Sequence, residues 1–250
     1  MIKFNLDILK TKVYYALKTN SLSSENWEQI ICDSLGAIWI EGDKYLADGI
    51  LKENNLNIKT IHFHPQIRTT KPSRDFIHNP EHYDPVLELV QRRVGLPHLN
   101  DMIEDPYVIG KATIENFKRF ERESFEKFNT TKTLDVIIRH GIDRTEKNYL
   151  VDVFVEDHIH PDADELDWIE NLHGVKSKYK GRQSVIGVKN NKKIIARNSS
   201  GTGRQQNCYL IFRDIRRIEH RETIKLPIPE RLNYDHNKLL EEILSKSVDN

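Results

Sequence analysis

Between residues 37 and 63 three short apolar segments, 37–41, 45–51 and 56–63, alternate with turn-forming residues. They follow directly on an amphipathic stretch, 25–35, that Ser23 or Ser24 can cap and Gly36 stops. Strands this short bury an apolar face only when paired, and the turn-rich Gly42-Asp43 and Lys52-Glu53-Asn54-Asn55 allow consecutive ones to fold back on each other. A helix feeding a small antiparallel unit commits the chain to a mixed α/β architecture.

The remaining pattern agrees. Helices are expected at 6–18, 85–94, 113–127, 162–172 and 237–245. Strands are expected at 133–140, 149–156, 184–189, 192–197 and 207–214, and a proline-containing basic loop at 65–82. No apolar run approaches the ~20 residues of a membrane span, and the N-terminus lacks the layout of a signal peptide. The two cysteines, Cys32 and Cys208, are far apart with no CxxC, which excludes a disulfide framework and a cysteine zinc site and fits a reducing cytoplasm. A length of 250 residues suits one domain, with 1–130 as a core with flanking helices and 131–250 as a β-rich basic part.

The formal net charge is zero, so the chain is neither uniformly basic nor an acidic solvating segment. That average hides segregation. Residues 143–170 carry ten acidic against two basic side chains, and 176–225 fourteen basic against three acidic. The pattern predicts either a positive face with a negative rim or an internal complement between the two segments.

Chemistry concentrates in the hairpin. Asp48 lies in its first strand, and Asn57 and Lys59 share one face of the second, with Ile58 on the other. Pairing brings Asp48 beside Asn57 and Lys59. Phosphodiester hydrolysis requires such a set: a carboxylate and a backbone carbonyl such as that of Ile58 for Mg²⁺, and a lysine to orient water or stabilise developing charge. Glu28 on the preceding helix can add a carboxylate, while Glu25 suits the helix dipole better.

Helix with glutamate, short strand, hairpin with Asp48, then Asn57-Ile58-Lys59: over residues 25–64 this resembles the nuclease core of the PD-(D/E)XK superfamily, and in size and layout the type II restriction endonucleases. The resemblance implies a central mixed β-sheet flanked by helices with an added β-rich recognition region. It also implies Mg²⁺-dependent cleavage of double-stranded DNA by a homodimer, and a cognate DNA methyltransferase in the same system. Asp48 becomes the metal ligand and Lys59 the catalytic lysine. Two positions depart from the pattern. Asn57 stands where the family has its second acid, and Ala47 where a proline usually precedes the aspartate; Glu28 is the residue that restores the missing carboxylate.

Three basic segments suit DNA. Arg68, Lys71 and Arg74 follow the candidate catalytic strand and suit phosphates. Lys178, Lys180 and Arg182 suit a backbone clamp. Arg197, Asn198, Ser199, Arg204, Gln205, Gln206 and Asn207 carry the side-chain types that read base edges. Each set also fits an ordinary solvated loop.

His62 and His64 share one strand face, and His158, His160, Asp162 and Asp164 form a second histidine–carboxylate group that suits a transition metal. Phosphate-cradling glycine loops and a G-x-S-x-G elbow are absent from the sequence. Two rival functions remain: a non-catalytic DNA-binding or DNA-mimicking regulator on the same scaffold, kept open by Asn57, and a histidine- and metal-dependent nuclease or hydrolase centred on His158, His160 and Asp162.

Overall fold

Helix α1 (Leu6–Thr19) buries Leu9, Val13 and Ala16, one face of a 3.6-residue repeat. Helix α2 (Ser24–Leu35) starts at Ser23, whose hydroxyl accepts from the Asn26 N–H at 3.2 Å while the Asn26 side chain accepts from the Ser23 N–H. It stops at Gly36, which adopts φ +66° and turns the chain into β1 (Ile38–Trp39). The computed structural model describes residues 2–19, 21–41, 47–62, 86–90, 99, 102–143, 148–172, 181–198, 208–212 and 220–229. At 61–62, 86–90, 143, 208–212 and 220–221 it describes the backbone alone.

Two sheets form among these residues. The first has the order β1-β2-β3-β5-β6-β11, with β2 (Gly49–Leu51), β3 (Asn54–His62), β5 (Lys132–Asp143), β6 (Asn148–Asp157) and β11 (His220–Pro227). Strands β3 and β5 are parallel, in register from Asn54 opposite Lys132 to His62 opposite His140, and the other pairs are antiparallel. A parallel pair needs a crossover, and α3 (Pro106–Phe128) lies within it. Pro106 opens α3 behind the cap Asp105, and Asn129, at φ 52°, closes it. The second sheet is antiparallel, β4-β10-β9-β8-β7, made of β4 (Val86–Val90), β7 (Asp167–Leu172), β8 (Arg182–Lys189), β9 (Lys192–Asn198) and β10 (Cys208–Phe212). Asn190 and Asn191, both at positive φ, form the tight turn between β8 and β9.

Each face of the first sheet has its own core. Leu56, Ile58, Leu134, Val136, Ile138, Val151 and Val153 pack beneath α1 and α2. On the opposite face Ile137 and Phe154 meet Ile114 and Phe117 of α3 and Ile195 of the second sheet. That face is partly polar, and several of its polar groups are paired. Asn55 donates to Ser124 and accepts from Thr130, both at 2.8 Å. The buried Arg139 grips Asp152 through Nη2 at 2.6 Å, and Thr223 donates to the same carboxylate.

The mixed α/β class holds, and several expectations are corrected. Residues 86–90 are strand rather than helix, because a short apolar run satisfies either period and pairing with β10 decides it. Residues 162–172 are a 3-10 turn (Ala163–Glu165) followed by β7, since Asp162 caps only that turn and β8 then captures the backbone. Strand β11 has no counterpart in the sequence reading. The sheets also ignore the boundary at residue 130: β5, β6 and β11 complete the first sheet, and β4 belongs to the second. The expected loop at 65–82 and helix at 237–245 lie outside the described residues. Among those described, no helix is long and apolar enough to cross a membrane.

Candidate active site

Asp48 immediately precedes β2 and is held from both sides. Its N–H donates to the Leu56 carbonyl at 2.7 Å, and its carbonyl accepts from the Ile40 N–H at 3.1 Å. Gly49 keeps this start of the strand tight, because a Cβ there would collide with the Cys32 sulfur of α2. Cys32 is itself a buried thiol whose pKa burial pushes up to about 12, so it is inert packing rather than a nucleophile.

The Asp48 carboxylate accepts two hydrogen bonds through Oδ2, from the Ile58 N–H at 2.6 Å and from Lys59 Nζ at 2.9 Å. Lys59 Nζ also donates to the Ile58 carbonyl at 3.0 Å. The ammonium therefore bridges the two oxygens that the sequence reading assigned to a cation, and both side chains of the pair stay partly exposed. Glu28 of α2 couples electrostatically to both Asp48 and Lys59. Burial pushes its carboxyl up to about 7, the Asp48 charge pushes the same way, and Lys59 opposes. Two carboxyl groups, a carbonyl and an ammonium thus share one electrostatic site. An all-oxygen donor set occupied by a lysine cation fits a hard divalent ion.

Asn57 does not join them. It is 2% exposed, and its Nδ2 donates to Asp135 Oδ1 on β5 at 2.7 Å. Its placement as a metal ligand or catalytic group is corrected: parallel pairing sets Asn57 directly opposite Asp135, and the amide is spent there. Lys59 lies two residues on, and its longer stem reaches Asp48 instead.

Asp135 leads to a second polar cluster. Both its oxygens lie 2.9 Å from His158 Nδ1. The His158 ring meets that of His160 edge-on at 4.7 Å, and His160 Nε2 lies 2.8 Å from Glu121 Oε2 on α3. Asp162 and Asp164 are not members. Asp162 caps the 3-10 turn, and Asp164 faces Tyr107 and Lys111. Sequence reasoning missed Glu121 and Asp135; nothing in local spacing points from the His-x-His segment to a helix 39 residues before it or a strand 23 residues before it.

Two of the DNA-contact candidates turn inward. Arg197 is 1% exposed, with Nη1 3.2 Å from the Met102 sulfur, so it is packed rather than DNA-facing. Arg182 binds Glu170 and donates to the Met102 carbonyl at 2.6 Å. With the Lys189–Glu165 pair, this makes part of the acidic segment a complement to the basic one across β7 and β8. Asn198 ends β9, opposite Ser184 and Cys208. Arg68, Lys71, Arg74, Lys178, Lys180, Ser199, Arg204, Gln205, Gln206 and Asn207 lie outside the described residues, as do His64 and the His62 side chain. No protein-family model, curated protein or solved structure matches this chain.

Proposed function

We propose that the chain is a Mg²⁺-dependent endonuclease of double-stranded DNA, of type II restriction character, acting as a homodimer on a two-fold symmetric target. The observation that carries this reading is the lysine ammonium bridging the Asp48 carboxylate and the Ile58 carbonyl beside a Glu28 whose proton is poised near neutrality. The order of elements supports it too: glutamate-bearing α2, short β1, Asp48 at the head of β2, then Lys59 on β3.

Asp48, Glu28 and the Ile58 carbonyl would hold the ion. Bound Mg²⁺ supplies Lewis acidity toward the scissile phosphate and lowers the pKa of water at the site. With an ion in the cation's place, the Lys59 ammonium would be free to orient the attacking water and to stabilise the charge that builds on the phosphate oxygens. Water adds to phosphorus and releases a proton to solvent, the bond to the leaving sugar oxygen breaks, and that oxygen is protonated from solvent. Glu28, with its carboxyl raised to about 7, would be ionised by a bound divalent ion and would then add a second negative charge beside Asp48.

The experiment is digestion of plasmid and phage DNA by the purified chain, with Mg²⁺ and with EDTA, beside Lys59→Ala. Discrete Mg²⁺-dependent bands that vanish in the variant support the reading. Equal cutting by the variant, or intact DNA with every divalent ion tried, refutes it. One observation favours a second reading, a non-catalytic DNA-binding protein: Asn57, at the family's second acidic position, is turned away from the site. That reading predicts DNA binding, weakened by salt, that Asp48→Ala leaves unchanged, with no cleavage.

A further inference from the structure

The histidine cluster is built in a way its hydrogen bonds leave incomplete. The His158 side chain is 0% exposed, and a carboxylate can only accept, so its Nδ1 carries the proton that Asp135 receives. In the neutral ring this leaves Nε2 as a lone pair, and this buried nitrogen has no hydrogen-bond partner among the described residues. His160 repeats the pattern. Its Nε2 meets Glu121, a contact that an ion held by Glu121 would replace, while its buried Nδ1 has no partner among the described residues. A buried polar atom without a partner costs about 1–3 kcal/mol. Two such nitrogens on adjacent, nearly perpendicular rings offer their lone pairs to an electrophile.

We propose that Glu121, His158 and His160 bind a divalent transition-metal ion of the zinc type, with Asp135 orienting His158 and Asn57 holding Asp135. One ligand atom from each of the three residues lies within 4.8 Å of the others. Donors around a tetrahedral zinc stand about 3.4 Å apart, a contraction that side-chain rotation supplies. Two imidazoles and one carboxylate select a borderline ion over Mg²⁺, and three protein ligands leave a fourth position for water. The Asp135–His158 contact is the carboxylate–histidine–metal arrangement that orients ligands and raises their basicity. Charge balances as well: the ion's two positive charges meet Glu121 and Asp135. The ion ties α3 to the segment after β6, and Asp135 and Asn57 connect it to β3. The site shares no ligand with the Asp48 group, so it stands or falls independently of the nuclease reading.

The test uses the full chain stripped with chelator and dialysed against Zn²⁺ or Co²⁺. The expected result is one ion per chain, an intense visible Co²⁺ spectrum of tetrahedral type, and a Tm that rises with added Zn²⁺. His160→Ala and Glu121→Gln, both near the surface, abolish the spectrum and the Tm response while keeping the wild-type circular dichroism. Asp135→Asn weakens binding by about 10–100-fold. Asp48→Ala leaves zinc stoichiometry unchanged. Absence of stoichiometric binding in the wild-type chain, or wild-type Co²⁺ spectra in both the His160 and Glu121 variants, overturns the proposal. Should those variants fail to fold, the wild-type stoichiometry and spectrum decide alone. Zinc binding without DNA cleavage supports the metal site and counts against the nuclease reading.

Discussion

Replacing Glu28 by glutamine tests the electrostatics of the Asp48 site directly. In the folded chain burial and Asp48 raise the Glu28 carboxyl from 4.5 to about 7. Between those values the unfolded chain has released this proton and the folded chain still holds it, so Glu28 lowers stability progressively as pH rises through the window. At about 1.4 kcal/mol per tenfold, the ceiling is about 3.4 kcal/mol. The group is only half-buried, and solvent screening reduces the expected effect to ~1–2 kcal/mol. Glu28→Gln carries no such charge. It should therefore be more stable than wild type by ~1–2 kcal/mol near pH 8, and the advantage should vanish near pH 4, as read from urea midpoints. Added Mg²⁺ favours the ionised carboxyl, so it should narrow the gap at pH 8 by stabilising wild type alone. Cleavage by wild type should rise with pH through about 7 and be lost in the variant. Parallel stability curves for the two proteins across this range would show that Glu28 does not share the Asp48 field.

Three further substitutions probe the scaffold. Asn57→Asp restores the acid of the nuclease pattern but sets a second carboxylate against Asp135. We expect a loss of roughly 1–3 kcal/mol in urea denaturation, no gain in cleavage, and recovery of stability when Asp135→Asn is added; gained cleavage in the single variant would contradict the assignment of Asn57 to the interior. Arg139→Ala leaves the buried Asp152 without its cation, and denaturation should register a loss of about 3–5 kcal/mol. Gly110→Ala drives a Cβ into the Trp168 ring where α3 meets β7 and should cost roughly 1–3 kcal/mol. Near-wild-type urea midpoints for either would show that the packing there yields easily.

Helix α2 was legible to within a residue at its start and at its stop, because its signals are local: the Ser23–Ser24 pair and Gly36 lie within or beside the element they bound, although the Asn26 half of the cap was not read. The hairpin was legible for the same reason, and the Asp48–Lys59 contact spans only 11 residues. The errors fell where periodicity is weak and distant partners decide. Val86–Val90 and Asp167–Leu172 are five and six residues long, too short for a period to declare itself, and both became strands by pairing with β10 and β8. Strand β11 hid because its polar sequence leaves only Ile224 and Leu226 among its described side chains to enter the core. Arg197 was misplaced because its base-reading chemistry is equally useful against Met102, and only burial tells these uses apart.

Asn57 is the residue at which local and distant logic part. On β3 alone it belongs with Lys59, two positions away on the same face. The parallel partner β5 overrides that grouping by presenting Asp135 directly opposite, 78 residues on. An acid at 57 would face another carboxylate in the interior, whereas an amide donates to it. The same strand thus serves two neighbourhoods, with Lys59 reaching out to Asp48 and Asn57 reaching in toward Asp135 and His158. A second carboxylate for the Asp48 group must therefore come from another element. Among the described residues Glu28 has the required coupling, since its pKa responds to both Asp48 and Lys59. On this argument the departure at residue 57 follows from the inner cluster, and it shifts the burden of the outer site onto helix α2.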